Sequence, residues 1–262
     1  MAIQIYAVGG GGFTHADNAS SDNGRPDNRL NGDPLLEDRL LDLTGAAQST
    51  HIGYIGHASA DNPQRIANFH KRFYDCAETR HLPISADASE ATAFFQNLDI
   101  VYIGGGETAT MLAHWQRSGI TALLMDAIRQ GVVMAGVSAG AICWFSDLLL
   151  GNSSDGYELH PGLGLLAGSA CPHYSNEAPR KNAYHHHIAD GSLSSGIAID
   201  DGVAVWIVDG VVKSVDIARD DGSNAYVISQ VAEGVNIRPL KAGHDIGLAN
   251  IGLKNIGLAG LS

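Results

Sequence analysis

Ser138 lies between two glycines at a spacing of two, in Gly136-Val137-Ser138-Ala139-Gly140. The apolar, β-branched run at 132–137 before it reads as a strand. Ala141-Ile142-Cys143-Trp144-Phe145 after it reads as the start of a helix. A serine on so sharp a strand-to-helix turn sits in a strained backbone conformation, and its neighbours two away must be small to avoid it. The N–H groups at the start of the next helix then flank the hydroxyl and can stabilise an oxyanion. The chemistry this implies is acyl transfer with Ser138 as nucleophile. The competing explanation of the same residues is a small-residue turn that packs a helix closely on a sheet.

Such a nucleophile needs partners, and the residues offer several. Gly104-Gly105-Gly106 ends the preceding strand. In a parallel sheet the carboxyl ends of adjacent strands share one edge, where ligands bind, so bare backbone there could approach a reacting carbonyl. A tight turn explains the triplet equally well. A base and an orienting acid are also required. The chain has twelve histidines, so spacing alone chooses none. His173 stands at what reads as a strand end, in Ser169-Ala170-Cys171-Pro172-His173-Tyr174. His185, His186 and His187 fall in a helix expected at about 178–190 and point in different directions, a poor metal site. Asp200 and Asp201 close a short strand, either to orient an imidazole or to make a turn.

The elements that must carry these residues follow from periodicity. Residues 3–8 read as a strand ending in Gly9–Gly12, and residues 13–33 as a long polar loop. Pro34 to Leu43 carries a helical leucine stripe. His51–Gly56 is a strand, and Asp61 is a cap for a helix bearing Ile66, Phe69 and Phe73. A helix at 88–96, a strand at Ile100–Ile103, helices at 107–117 and 120–130 and the strand at 132–137 continue the alternation. That order predicts a parallel sheet with helices on both faces. After about residue 195 short runs at 197–199, 203–208, 211–215 and 225–228 take over. Asp209-Gly210 between two of them is a hairpin signal, so these are antiparallel strands at the sheet edge or in a small second sheet. One domain over 1–240 and a tail over 241–262 follow. The tail repeats Ile-Gly-Leu at 246–248, 251–253 and 256–258, and reads as poorly ordered or docked on a partner chain.

Composition narrows the class. The chain has 262 residues, 45% of them hydrophobic, and a net charge of -12. That acidity disfavours nucleic acid and anionic membrane surfaces as partners. Three cysteines, Cys76, Cys143 and Cys171, suggest neither a disulfide framework nor a zinc site. No leader and no membrane-spanning run is visible, so a reducing cytoplasm is the expectation.

Four segments in order resemble the peptidase E family, which also contains the α-aspartyl dipeptidases and cyanophycinases. They are Tyr102-Ile103-Gly104-Gly105-Gly106-Glu107-Thr108, Ala135-Gly136-Val137-Ser138-Ala139-Gly140-Ala141, Cys171-Pro172-His173-Tyr174 and Ile199-Asp200-Asp201-Gly202. The resemblance spans about residues 1–230. It implies a three-layer flavodoxin-like α/β fold, related to class I glutamine amidotransferases, with a mostly parallel sheet and antiparallel C-terminal strands. It implies a serine mechanism without metal or cofactor on a small peptide, in a monomer or homodimer. Ser138 matches the nucleophile, His173 the base and Asp201 the acid, which is more often glutamate in relatives. The N–H groups of Gly105 and Ala139 match the oxyanion hole, with Gly106 beside them. Arg180 matches the arginine for a substrate aspartate. Glu177 is a second choice for the orienter, or an anchor for an amine. Glu107 departs from the pattern, which often has asparagine there. An ionised glutamate opposes an acidic side chain and favours a cationic group such as an α-amine.

The expectation is a serine dipeptidase of the Asp-X kind. Three rivals stand beside it. An amide hydrolase acting on a cyanophycin-like polymer is separated by an isopeptide panel, and a noncatalytic scaffold by phosphonate labelling. A nucleotide binder built on Gly9–Gly12 lacks the full Gly-x-Gly-x-x-Gly spacing.

Overall fold

The computed structural model describes residues 1–13, 34–45, 50–151 and 156–249. Its frame is a seven-stranded sheet in the order β11-β10-β1-β5-β4-β2-β3. Strands β1 (Gln4–Val8), β5 (Val133–Val137), β4 (Ile100–Ile103), β2 (Thr50–Ile55) and β3 (Ala77–Leu82) run parallel. The strands β10 (Val203–Val208) and β11 (Val211–Ile217) join antiparallel at the β1 edge. β4 and β5 are buried at every residue. That is what near-continuous apolar runs become when helices cover both faces of a parallel sheet.

The pleat sorts the side chains into two cores. Tyr6, Val8, Tyr54, Tyr102 and Val137 face one side, against α1 (Pro34–Asp42) and α2 (Pro63–Phe73) through Leu36, Leu40, Phe69 and Phe73. Ile5, Ala7, Val101, Ile103 and Met134 face the other. There they meet α3 (Ala88–Phe94), α4 (Thr108–Ser118), α5 (Ile120–Arg129) and a second sheet. That sheet has six strands in the order β13-β12-β9-β8-β6-β7. In chain order they are β6 (Phe145–Gly151), β7 (Tyr157–Pro161), β8 (Leu166–Cys171), β9 (Gly196–Ile199), β12 (Ala225–Val231) and β13 (Gly234–Pro239). Helix α7 (Ala178–Ala189) closes its far face through Tyr184 and Ile188.

The fold class is the α/β architecture expected, with four differences in detail. The C-terminal runs divide: β10 and β11 extend the first sheet, whereas β12 and β13 enter the second, which is not small. The edge strands β3, β7 and β13 were not anticipated, and neither was β6. Asn62, not Asp61, caps α2, its side chain accepting from the N–H groups of Gln64 and Arg65. Asp61 instead accepts from the Ile84 N–H at 2.5 Å. Of the expected polar loop at 13–33, only Phe13 is described, and it is buried among Tyr54, Phe69, Phe73 and Tyr102. Residues 241–249, expected as tail, bond to the body. Ile246 N–H donates to Gly210, Gly247 accepts from the Ala167 N–H, and Ala249 N–H donates to Leu165. The Ile-Gly-Leu copies at 251–253 and 256–258 lie outside the described residues. Among the described residues no helix is long and apolar enough to cross a membrane.

One buried histidine links the fold to pH. His57 opens a short 3-10 turn, His57–Ser59, between β2 and α2. Its Nδ1 accepts from Trp115 Nε1 at 3.0 Å, so Nε2 carries the proton and donates to the Leu82 carbonyl at 3.0 Å. Burial holds its pKa below the ordinary 6.5, against an opposing pull from Asp61. The unfolded chain therefore takes up a proton near pH 6.5 that the folded chain refuses, and stability falls as pH drops through that value. The expected result is a lower Tm at pH 5.5 than at pH 7.5. The difference should shrink in His57→Gln, a less stable variant overall; a difference of wild-type size would locate the proton elsewhere.

Candidate active site

The parallel register brings Val8, Ile103 and Val137 to one sheet edge, where β1, β4 and β5 end together. Ser138 follows β5 with φ 53° and ψ -109°, a region that L-residues occupy only under strain. Its N–H donates to the Val8 carbonyl at 3.0 Å, which anchors the turn to β1. The flanking glycines explain themselves. A Cβ on Gly136 would lie 2.6 Å from the Gly140 carbonyl carbon, and one on Gly140 would overlap the Ile103 carbonyl. The helix after the turn, α6 (Ala139–Ile142), is a single turn. Trp144 then donates its Nε1–H to the Gly140 carbonyl at 3.0 Å as the chain turns into β6.

His173 and Asp201 come from the second sheet. β8 and β9 are parallel, with Cys171 beside Ala198, so both chains leave the sheet at the same edge. His173 adopts φ 53° just beyond β8, and its carbonyl accepts from the N–H groups of Asn176 and Glu177 at the entry to α7. Its Nε2 lies 3.0 Å from Ser138 Oγ, and its Nδ1 lies 2.6 Å from Asp201 Oδ1. The pair is 13% and 22% exposed, partly shielded yet reachable. Asp201 donates its backbone N–H to Asn176 Oδ1 at 3.2 Å.

The neighbouring acids are engaged elsewhere. Asp200 is buried, and its carboxylate accepts from the N–H groups of Ser175 at 2.8 Å and Asn224 at 2.9 Å. Glu177 holds Arg180 Nε at 2.7 Å. Of the three acids weighed for His173, Asp201 is therefore the one within hydrogen-bond distance.

Asn176 and Gly10 also stand at the site, though neither was expected there. Gly10 bridges Asp201 in parallel and accepts from the Gly202 N–H at 2.9 Å. A Cβ there would overlap Asp201 Oδ1 and stand 2.5 Å from His173 Nδ1. The glycine run after β1 thus lets backbone pack flat against the imidazole–carboxylate pair. The signal was present as a glycine cluster, but its partner is 191 positions away, beyond any local motif.

Ser138 opens into a cavity of about 360 Å³ that Gly106, Glu107, Thr108, Glu158 and Arg180 also line. Glu158 is an acid that the sequence reading did not single out. The Arg180 guanidinium lies over the Tyr157 ring, 5.4 Å from its centre. Gly105 packs on Ser138, with a Cβ position 3.2 Å from Ser138 Cβ. The N–H groups of Gly105, Gly106 and Ala139 donate to no described residue. A larger groove of about 740 Å³ between α4, α5 and residues 160–163 contains none of these groups. The three adjacent histidines diverge: His185 meets the Tyr174 hydroxyl, His186 faces Asp190, and His187 meets Ser192.

A serine on a strained turn at the carboxyl edge of a parallel sheet, with an imidazole at its hydroxyl, is an arrangement suited to a serine hydrolase on an α/β fold. The family model of peptidase family S51 matches residues 28–215, and the chain belongs to that family, the family of peptidase E. It is a serine peptidase. Among known proteins it is 33% identical over 239 residues to the uncharacterized peptidase YgaJ of Bacillus subtilis (strain 168), covering 90% of this chain and 96% of the relative. Its fold is similar to the crystal structure of a peptidase from an acI-B1 Actinobacterium, with a TM-score of 0.66 and 15% identity over 93% of this chain and 96% of the other. A protein classed with peptidase E from Listeria monocytogenes EGD-e gives a TM-score of 0.59 and 16% identity, over 83% of this chain and 99% of the other.

Proposed function

We propose that this peptidase is a dipeptidase acting on short peptides with an acidic N-terminal residue, with Ser138 as nucleophile, His173 as base and Asp201 as its orienter. The observation that carries the reading is the imidazole bridging Ser138 Oγ and the Asp201 carboxylate at 3.0 and 2.6 Å. Ser138 Oγ attacks the scissile carbonyl while its proton passes to His173 Nε2. Asp201 accepts from Nδ1–H, fixing the tautomer and stabilising the imidazolium. The oxyanion is received by the N–H of Ala139 and by one from the glycine triplet. Gly106 is favoured over Gly105 because it lines the cavity beside Ser138. Removing one such donor costs about 3–4 kcal/mol in measured cases. His173 then protonates the leaving amine, and water hydrolyses the acyl-enzyme.

The cavity has opposite charges for a zwitterionic residue. Arg180 offers a fork to a side-chain carboxylate, although Glu177 already holds its Nε. Glu107 offers a carboxylate to the free α-amine. Glu107 and Glu158, both lining the cavity, also favour a second reading, an amide or isopeptide whose reacting residue carries a cation. Cys143 and Cys171, buried and unpaired, fit a reducing compartment.

The test joins labelling to a substrate panel. A fluorophosphonate should modify the protein once, at the peptide containing Ser138. Hydrolysis should favour Asp-X over Ala-X and Lys-X dipeptides and over β-aspartyl isopeptides. Preference for Lys-X or for the isopeptides would move the assignment to the second reading. Absence of both labelling and hydrolysis would remove the serine mechanism.

A further inference from the structure

We propose that Arg65 is a positioning residue for the oxyanion site, latching the Gly105–Gly106 peptide so that its N–H faces the cavity of Ser138. The inference rests on the serine mechanism above and adds a residue from outside the four recognised motifs.

Arg65 is the third residue of α2, and its Nη1 donates to the Gly105 carbonyl at 2.7 Å in a partly buried setting. The peptide is planar and trans, so its N–H points opposite to its carbonyl. With the oxygen turned to α2, the Gly106 N–H is turned away from it. Gly106 lines the cavity with Ser138, and its N–H donates to no described residue. Arg65 therefore sets the direction of a donor it does not touch.

Among the described residues no other hydrogen bond holds this peptide against a flip. The chain on either side is pinned by backbone: Gly104 N–H donates to Ile55 at 3.0 Å and Glu107 N–H to Ala58 at 2.7 Å. Between them stand two glycines, and Gly106 has φ +141° where a Cβ would overlap the Ala58 carbonyl. A flip changes ψ of Gly105 and φ of Gly106, torsions that glycine allows widely. The flipped peptide would present a carbonyl oxygen to the developing oxyanion. A charged hydrogen bond on the carbonyl opposes that rotation, and it polarises the same peptide's N–H into a better donor.

The location of Arg65 supports the assignment. A cation in the first turn of a helix opposes the helix dipole, and α2 has no acid in that turn to offset it. Arg65 is therefore poorly placed to stabilise α2 and well placed to hold Gly105.

Arg65→Met and Arg65→Lys test the latch, with kcat and KM on the best dipeptide and the rate of fluorophosphonate labelling as readouts. Arg65→Met is expected to lower kcat by about 10- to 100-fold, less than outright loss of a donor, with KM within about twofold. Labelling should slow in proportion. Arg65→Lys, which keeps a charged donor, should recover part of the loss. Tm and circular dichroism on both variants confirm the fold. Wild-type kcat in Arg65→Met, a loss carried by KM, or an Arg65→Lys no faster than Arg65→Met in folded protein would each overturn the latch alone. A wild-type protein that takes no phosphonate and cleaves no peptide would overturn the latch together with the serine mechanism.

Discussion

Replacing Ser138 with glycine should abolish hydrolysis and raise the melting temperature. The loss of turnover should be about a millionfold, the size seen when a triad serine is removed in a well-studied protease. The gain in stability follows from the backbone. At φ 53° and ψ -109° an L-residue carries strain of about 1–3 kcal/mol that glycine does not. Against that stand the larger chain entropy of an unfolded glycine, about 0.5–1 kcal/mol, and the lost hydrogen bond to His173. That bond is partly solvent-exposed, so water replaces it cheaply. A net gain of about 1 kcal/mol should raise Tm by about 2–4 °C in a chain of this size. Ser138→Ala separates the two effects, because alanine removes the hydroxyl and keeps the strain. It should be as inactive as Ser138→Gly and no more stable than wild type. Melting curves of the three proteins, alongside dipeptide turnover, decide the matter. A glycine variant less stable than the alanine variant would show that the turn is not strained.

That strain was legible before any coordinates, because Gly136 and Gly140 advertise a turn where two backbones nearly touch. The parallel strands were legible for a related reason. β4 and β5 are buried on both faces, so their composition carries the burial directly. The strands that went unread include three edges: β3 with one buried residue, and β7 and β13 with none. An edge strand pairs on one side and faces water, and Ala77-Glu78-Thr79-Arg80-His81-Leu82 has no apolar alternation to betray it. β6 was lost differently. It starts at Phe145, where the elbow's expected helix was still running, whereas α6 ends after one turn.

The site divides along the same line. The proposed nucleophile, Ser138, and the glycine triplet are local patterns in adjacent strands. The proposed base, His173, is not local. Nothing about His173 distinguishes it from eleven other histidines except that β8 and β9 run parallel and leave the second sheet together. Family resemblance supplied that pairing, where spacing alone could not. Gly10, Asn176 and Arg65 were invisible for the same reason. Each acts on a segment distant in sequence through backbone contacts or a hydrogen bond, and such contacts leave no periodicity.

The strongest test of the assignment within this chain is Asp201→Asn, for which kcat should fall about 10⁴-fold with KM and Tm little changed. A carboxylate can only accept, so Asp201 Oδ1 at 2.6 Å obliges His173 to carry its proton on Nδ1. The lone pair of Nε2 then faces Ser138 Oγ at 3.0 Å, ready to take a proton. An asparagine that turns its amide N–H toward Nδ1 selects the other tautomer. Nε2 then bears a hydrogen and donates to Ser138, leaving no base at the nucleophile. The geometry should survive, because Asp201 is anchored by backbone, through its own N–H to Asn176 and its bridge to Gly10. Glu177→Gln is the matched control. It disturbs the Arg180 contact at 2.7 Å but leaves the imidazole tautomer alone, so it should act through KM on acidic substrates. If Glu177→Gln lost the larger factor in kcat and Asp201→Asn turned over normally, the orienting acid would be Glu177 and the 2.6 Å contact to Asp201 incidental.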